Sequence, residues 1–317
     1  MKKIFFILLT VALAGAFLMG GVQTASAQKT IGFSLWTMEY TFFQAVEKGV
    51  RDACKDLGYK YIMIDQNQNA GKMVNDLYSL VGQKVDGIII TPVDPGSIGP
   101  AVQKARDAKI PVVCADIGKT GPVNALLISN NYKGGEMAMQ FIDKTLKAKG
   151  IKGKKVGVGP VQPQWTYARQ RGEGFKDMAK KLGYTVASEL VPATADAQGG
   201  YDAMQQMLSA APDVVAVFYC SGREAVGAAN AIKAAGKDIM VVGYNGDPEE
   251  FQAMRDGIMA ADIAQQPYNI GYASVQLLKD IWAGKKYEDA VVPVDVALLT
   301  PDTIDKFQKD YEAKMKR

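Results

Sequence analysis

Gly174-Phe-Lys-Asp-Met-Ala-Lys-Lys-Leu-Gly-Tyr184 repeats, at an offset of 125 residues, the earlier stretch Gly49-Val-Arg-Asp-Ala-Cys-Lys-Asp-Leu-Gly-Tyr59. The same offset sets Ile31-Gly32 on Val156-Gly157 and Thr41 on Thr166, with no gap between them. Each copy reads as an apolar strand, a loop and an amphipathic helix closed by Leu-Gly-Tyr. A strand-loop-helix duplicated at the head of two halves predicts two similar α/β lobes with a cleft between them.

Outward from the repeat, strand and helix alternate. Strands are expected at 30–36, 59–65, 85–91, 110–116 and 123–129, with helices at 41–57, 70–83 and 96–108 between them. The second half reads as helix 133–149, the repeat unit, and strands at 185–191, 213–219, 239–243 and 259–263. Helices are expected there at 201–209, 224–235 and 249–256. Helix 268–282, an extended stretch at 291–296 and a closing helix opened by Thr300-Pro301 complete the chain. Short strands rich in Val and Ile are those of a parallel sheet buried on both faces. Such alternation means right-handed strand-helix-strand units.

Residues 1–27 have the make-up of a cleaved signal peptide. Lys2-Lys3 precedes the apolar run 4–19, and Ala25-Ser26-Ala27 is a small-residue cleavage site. The 290 residues that would remain suffice for two domains of ordinary size. The formal charge of +4 falls to +2 without Lys2 and Lys3, and no long basic run suggests nucleic acid. The chain has no His, which removes His-dependent triads and most zinc sites. Neither a phosphate loop nor a nucleophile–base pair is present, so no catalytic residue, metal or cofactor is expected. Cys54 and Cys114 read as small buried hydrophobes rather than a disulfide pair, and Cys220 as a free thiol near a strand end.

In an open α/β sheet, ligands bind at the carboxyl ends of strands. The residues there in the first half are Trp36, Tyr40, Phe42, Phe43 and Asp116. Thr41 with Gln44 fits a capping box, which makes Tyr40 and its repeat equivalent Trp165 either staples on their helices or aromatic walls of the cleft. Arg169 and Arg171 fall early in a helix, where cations oppose the macrodipole, so a ligand-facing role is expected, more so for Arg171. Asp116 ends a buried strand and needs a partner or a wet cleft. Asn245 and Gln265 occupy strand-end positions in the second half, where a turn Asn and a surface Gln are the plain alternatives.

Several stretches resemble the periplasmic sugar-binding proteins of the ribose type, the substrate-capturing subunits of bacterial ABC importers. The resemblance spans the mature chain. It is carried by Phe42-Phe43, Val85-Asp-Gly-Ile-Ile-Ile-Thr-Pro92, Ile110-Pro-Val-Val113, Arg169-Gln-Arg-Gly-Glu-Gly-Phe175, Val241-Val-Gly243 and Ile263-Ala-Gln-Gln-Pro267. It implies a type I periplasmic binding protein fold, with lobes of 28–129 plus 266–294 and of 130–265 plus 295–317. Three crossings are implied near Asn130, Gln265 and Asp295, with a hinge that closes on one sugar. It further implies a periplasmic monomer that meets an ABC permease in the inner membrane, or a membrane receptor. By resemblance, Phe42 and Phe43 supply rings, and Asp116, Arg171 and Gln265 supply hydrogen-bonding groups. The departures are Glu39-Tyr40-Thr41 for Asn-Asn-Pro, Ile117 for an Arg, Ser221-Gly222 for Asn-Asp, and Asn245 for a pocket Asp. They leave the scaffold intact and point away from ribose, toward a deoxysugar, a polyol or a nucleoside. Two other classes lack their signatures in this sequence. A sugar-responsive transcription regulator needs a basic helix-turn-helix where this chain has its apolar leader, and a secreted enzyme needs an activated nucleophile.

Overall fold

The structure, a computed structural model, describes residues 28–317 apart from Thr120 and Gln164, so the expected signal peptide lies outside the described residues. The first half runs β1 (Thr30–Leu35), α1 (Thr41–Leu57), β2 (Lys60–Asp65), α2 (Ala70–Gly82), β3 (Gly87–Ile90), α3 (Gly99–Asp107), β4 (Val112–Ala115) and β5 (Ala125–Ser129). The second runs α4 (Asn131–Ala148), β6 (Lys155–Gly159), α5 (Thr166–Lys181), β7 (Thr185–Glu189), α6 (Ala197–Ala210), β8 (Ala216–Tyr219), α7 (Gly222–Ala234), β9 (Met240–Asn245), α8 (Pro248–Arg255) and β10 (Ala261–Ala264). The chain then adds α9 (Pro267–Trp282), β11 (Ala290–Val294), β12 (Ala297–Leu299) and α10 (Ile304–Lys316).

Two six-stranded sheets result, in the orders β11-β5-β4-β3-β1-β2 and β12-β10-β9-β8-β6-β7. The first is parallel throughout, and the second is parallel except where β12 runs antiparallel to β10. This is the two-sheet α/β architecture the repeat predicts. The chain passes from the first sheet to the second after Ser129, returns after Ala264, and leaves again between Val294 and Ala297.

Side-chain alternation explains why both faces of each sheet are covered. In β3, Ile89 joins the core under α1 and α9, while Ile88 and Ile90 join the one under α2 and α3. In β8, Ala216 and Phe218 pack toward α4 and α5, while Val217 and Tyr219 pack toward α6 and α7. Four apolar clusters follow, two for each sheet.

The repeated glycines share one physical task. A Cβ on Gly49 would sit 2.1 Å from the Tyr268 carbonyl oxygen, and one on its twin Gly174 would sit 2.0 Å from that of Tyr132. Each lets a neighbouring helix backbone approach, α9 against α1 and α4 against α5. The two Leu-Gly-Tyr endings match as well. Gly58 and Gly183 take the left-handed conformation (φ 69° and 76°), and the next amide bonds back into the helix, Tyr59 N to Cys54 O and Tyr184 N to Ala179 O.

Three local expectations need correction. Tyr40, not Thr41, is the N-cap of α1; its backbone is extended and its side chain makes no cap bond. Gln44 Nε2 instead donates to the Met38 carbonyl at 2.8 Å, so no capping box forms. The cause is ring packing. Tyr40 is drawn toward Trp36 and Phe43, with centroids at 6.2 and 6.5 Å, and this sets the entry to the helix. Helix α6 begins at Ala197, four residues before its expected start, because the Asp196 side chain accepts from Gly199 N at 2.8 Å. Its two glycines are there for close approach: a Cβ on Gly200 would lie 2.1 Å from the Glu224 carbonyl oxygen. Helix α10 begins at Ile304 rather than Thr300, since Thr303 Oγ1 accepts from Thr300 N at 2.9 Å and holds residues 300–303 in a turn.

Candidate functional site

The carboxyl ends of β1 and β4 bring one set of candidate residues together. Trp36 follows β1 and packs edge-on to Phe43 at 5.0 Å, and Phe42 packs against Phe43 at 5.1 Å. Trp36, Tyr40, Phe42 and Phe43 therefore form one aromatic group rather than four separate rings. Phe43 is its buried member, whereas Trp36, Tyr40 and Phe42 are partly exposed. The Trp36 indole N–H is buried with no hydrogen-bond partner among the described residues, although its backbone amide donates to Thr91 Oγ1 at 2.8 Å.

Beyond β4, Asp116 and Ile117 both adopt the left-handed conformation, with φ of 64° and 62°. Two consecutive non-glycine residues there, one of them β-branched, cost on the order of 1–3 kcal/mol each and are held only by their surroundings. The turn swings Gly118 against the second lobe, where a Cβ would meet the Tyr167 ring at 2.8 Å. Burial pushes the Asp116 carboxyl up to about 6, and the Arg171 guanidinium opposes that shift.

Arg171 comes from α5 and is 9% exposed. Its Nε donates to Asn131 Oδ1 at 2.8 Å and its Nη1 to the Cys220 carbonyl at 2.9 Å, while the guanidinium lies 3.9 Å from the Tyr244 ring centroid. Tyr244 Oη also donates to Asn131 Oδ1, at 3.0 Å. From the dipole argument alone, removal of Arg171 is expected to cost the fold little. The structure corrects this: the side chain ties α5 to the start of α4 and to the ends of β8 and β9. Arg169, by contrast, is exposed, and Trp165 stands 38% exposed as the N-cap of α5.

A second chain of hydrogen bonds runs along the crossings. Ser129 Oγ donates to Gln265 Oε1 at 2.7 Å, Gln265 Nε2 to Asn245 Oδ1 at 2.5 Å, and Asn245 Nδ2 to Asp247 Oδ2 at 2.6 Å. Gln265 is 5% exposed, which replaces the surface-Gln alternative with a buried link between β5, β9 and β10. Ser221 donates to Glu224, whose carboxyl is raised by burial, an effect that the Ser221 hydrogen bond opposes. Glu250 Oε2 accepts from Gly246 N and Asp247 N, both at 2.8 Å, and so fixes the turn that carries Asn245.

The lobes also touch at the mouth of the cleft, where the Arg223 guanidinium lies 5.8 Å from the Tyr40 ring centroid. Sequence reasoning passed over Asn131, Tyr244, Arg223 and Glu250. Asn131 carried no motif, and Tyr244 read as one more strand residue. Arg223 could have been found from its place at the start of α7, by the argument applied to Arg171. Among the described residues there is no group of three or more His, Cys, Asp and Glu able to hold a metal ion, and no helix long and apolar enough to cross a membrane. Cys54, Cys114 and Cys220 are all buried free thiols.

Removal of the Arg171 side chain should therefore be costly. Arg171→Ala leaves the Cys220 carbonyl without the Arg171 donor, at about 1–3 kcal/mol for a buried group left unpaired, and removes the positive charge that opposes the upward shift of Asp116. We expect a lower melting temperature and a higher Asp116 pKa, read by thermal denaturation and by carboxyl NMR titration. An unchanged melting temperature overturns the structural part of that role.

Paired sheets with polar and aromatic side chains at facing carboxyl ends define a two-lobed binding protein. Residues 31–286 match the family model described as "Periplasmic binding protein domain", and the chain belongs to that family. Among its relatives, the ribose import binding protein RbsB of Bacillus subtilis is 35% identical over 263 residues, covering 83% of this chain and 84% of the relative. The protein of the same name from Salmonella typhimurium is 34% identical over 301 residues, covering 94% of this chain and 98% of the relative. The crystal structure of a periplasmic ribose ABC transporter protein from Conexibacter woesei superposes with a TM-score of 0.83 at 22% identity, covering 89% of this chain and 95% of that one. The last likeness is one of fold.

Proposed function

We propose that this protein captures a sugar or sugar-like solute between its lobes in the periplasm and delivers it to an ABC importer, without chemical conversion. The observation that carries the reading is the approach of the two sheets' carboxyl ends, where Arg223 lies 5.8 Å from the Tyr40 ring and Gly118 lies against Tyr167. Asp116 and the aromatic group of one sheet lie opposite Arg171 and Arg223 of the other, so a solute between them touches both lobes only when these are together. Binding then biases a hinge equilibrium. The lobes are 28–129 with 266–294, and 130–265 with 295–317. The names of the import binding proteins support both the solute class and the permease as partner. A membrane receptor is a further partner of the same closed form.

The solute is a deoxysugar, polyol or nucleoside rather than ribose. Ile117 brings an apolar side chain to the strand end, and the aromatic group adds ring area, so a hydroxyl buried against Ile117 goes unpaired at about 1–3 kcal/mol. Mass spectrometry of the small molecule released on denaturation, followed by calorimetry, tests this. Scattering at saturating ligand should show a smaller radius of gyration. Submicromolar binding of D-ribose, with the other three classes silent, overturns the assignment of the solute. Chemical turnover of the bound molecule overturns the assignment of function.

A further inference from the structure

Helix α10 is rooted in one lobe and tied to the other. Its first turns belong to the second lobe: Ile304 is buried in that core, Phe307 packs on Phe251 with centroids 6.0 Å apart, and Arg255 donates to Asp305 and Gln308 at 2.9 and 2.8 Å. Its last turn meets the first lobe. Lys314 Nζ donates to Asn269 Oδ1 at 3.1 Å, on α9, and Arg317 pairs with Asp56 at 2.7 Å, at the far end of α1. Between these anchors the helix walls an interlobe cavity of about 270 Å³. The same cavity is lined by Phe42, Asn245 and Gln265, residues of the candidate site.

The geometry matters because the two anchors stand at different distances from the crossings. Asn269 follows the second crossing by a few positions, but Asp56 lies near the end of a 17-residue helix whose start is at the cleft. Such a helix is about 25 Å long, so rotation of the lobes about the crossings displaces Asp56 relative to the second lobe. The strap contact and the cross-cleft contacts at Tyr167 and Tyr40 occur together in this one arrangement.

We propose that α10 is an ionic strap that biases the unliganded lobes toward the closed arrangement, through Arg317–Asp56 and Lys314–Asn269. The proposal rests on the reading that the lobes open and close. The paired groups are partly exposed, so the bias is small and sensitive to salt. Breaking the contacts should raise the open fraction about two- to fivefold.

The test needs no ligand. Lys314→Gln with Arg317→Gln leaves the root of α10 in place, and Asp56→Asn breaks the same ion pair from the other lobe. We expect both variants to show a larger radius of gyration than the parent at low salt. The parent should reach that value as salt rises, with the helical circular dichroism unchanged. Spin labels on Gln103→Cys and Gln205→Cys, one in each lobe, should report a broader distance distribution in the variants. Parent and variants that coincide at both salt concentrations overturn the strap. Failure to find a solute, with the strap variants expanded, overturns the sugar-capture reading and leaves the strap standing.

Discussion

Gly135→Ala should destabilise the protein by about 3 kcal/mol and abolish tight ligand binding with it, although it adds a single methyl group. An ideal Cβ at Gly135 lies 1.9 Å from the Arg171 carbonyl oxygen and 2.7 Å from the Phe175 amide nitrogen. These are backbone atoms of α5, so no side-chain rotation relieves the clash and the two helices must part. The higher helix propensity of Ala offsets only about 1 kcal/mol. The residue driven away is the one whose guanidinium reaches Asn131 and the Cys220 carbonyl. Chemical denaturation and calorimetry on the same sample test both parts. A variant with parental stability shows that α4 and α5 can separate freely. One that is destabilised but still binds tightly shows that Arg171 follows its helix without loss.

The second large effect is on pH dependence. Asp262 and Glu250 are both 0% exposed, and among the described residues neither Asp262 oxygen nor Glu250 Oε1 has a hydrogen-bond partner. Burial, reinforced by the Asp247 carboxylate, pushes Asp262 up to about 8, and burial with Asp262 and Asp247 raises Glu250 in the same direction. An acid whose folded pKa is raised keeps its proton in the fold and loses it in the unfolded chain at ordinary acidic pH. Its contribution to stability is therefore intact below about 4 and declines as pH rises toward 8, by up to about 1.4 kcal/mol per unit for one group. The carboxylates held low, such as Asp52, Asp86 and Asp143, act in the opposite sense but only in acid. We expect the melting temperature to fall from pH 5 to pH 8, and Asp262→Asn to flatten that slope and to be the more stable form at pH 8. Parallel pH profiles for parent and variant contradict the assignment.

The sequence carried the architecture because its signals are local and redundant. The repeat marks both lobe beginnings, the Leu-Gly-Tyr endings mark helix stops, and strands rich in Val and Ile mark a doubly covered sheet. The candidate residues could be placed at strand ends for the same reason. What could not be read were relations between distant positions. Arg171 was visible as a cation in the wrong place on a helix, but its partners Asn131 and Cys220 lie 40 and 49 residues away along the chain. Gln265 read as a surface or ligand residue because nothing near it in the chain announces Ser129. The Thr41 capping box failed because ring packing outweighed a local polar motif, a tertiary contact that no window around residue 41 contains.

The order in which the strands join each sheet also sets a timetable. Each sheet has five of its six strands in one uninterrupted run, β1 to β5 and β6 to β10, and gains its last edge strand, β11 or β12, near the end of the chain. The first sheet waits for β11, and its principal helix pair waits for α9, whose Gly271 would place a Cβ 2.0 Å from the Val46 carbonyl oxygen of α1. A chain emerging from its N-terminus therefore has the later lobe's α4–α5 pair complete before α9 arrives to close the earlier lobe's core over α1. Residues 28–129 must stay partly unsealed while the rest of the molecule is made. The apolar face of α1 that α9 later covers stays exposed in that interval, the kind of surface that makes folding intermediates prone to aggregate.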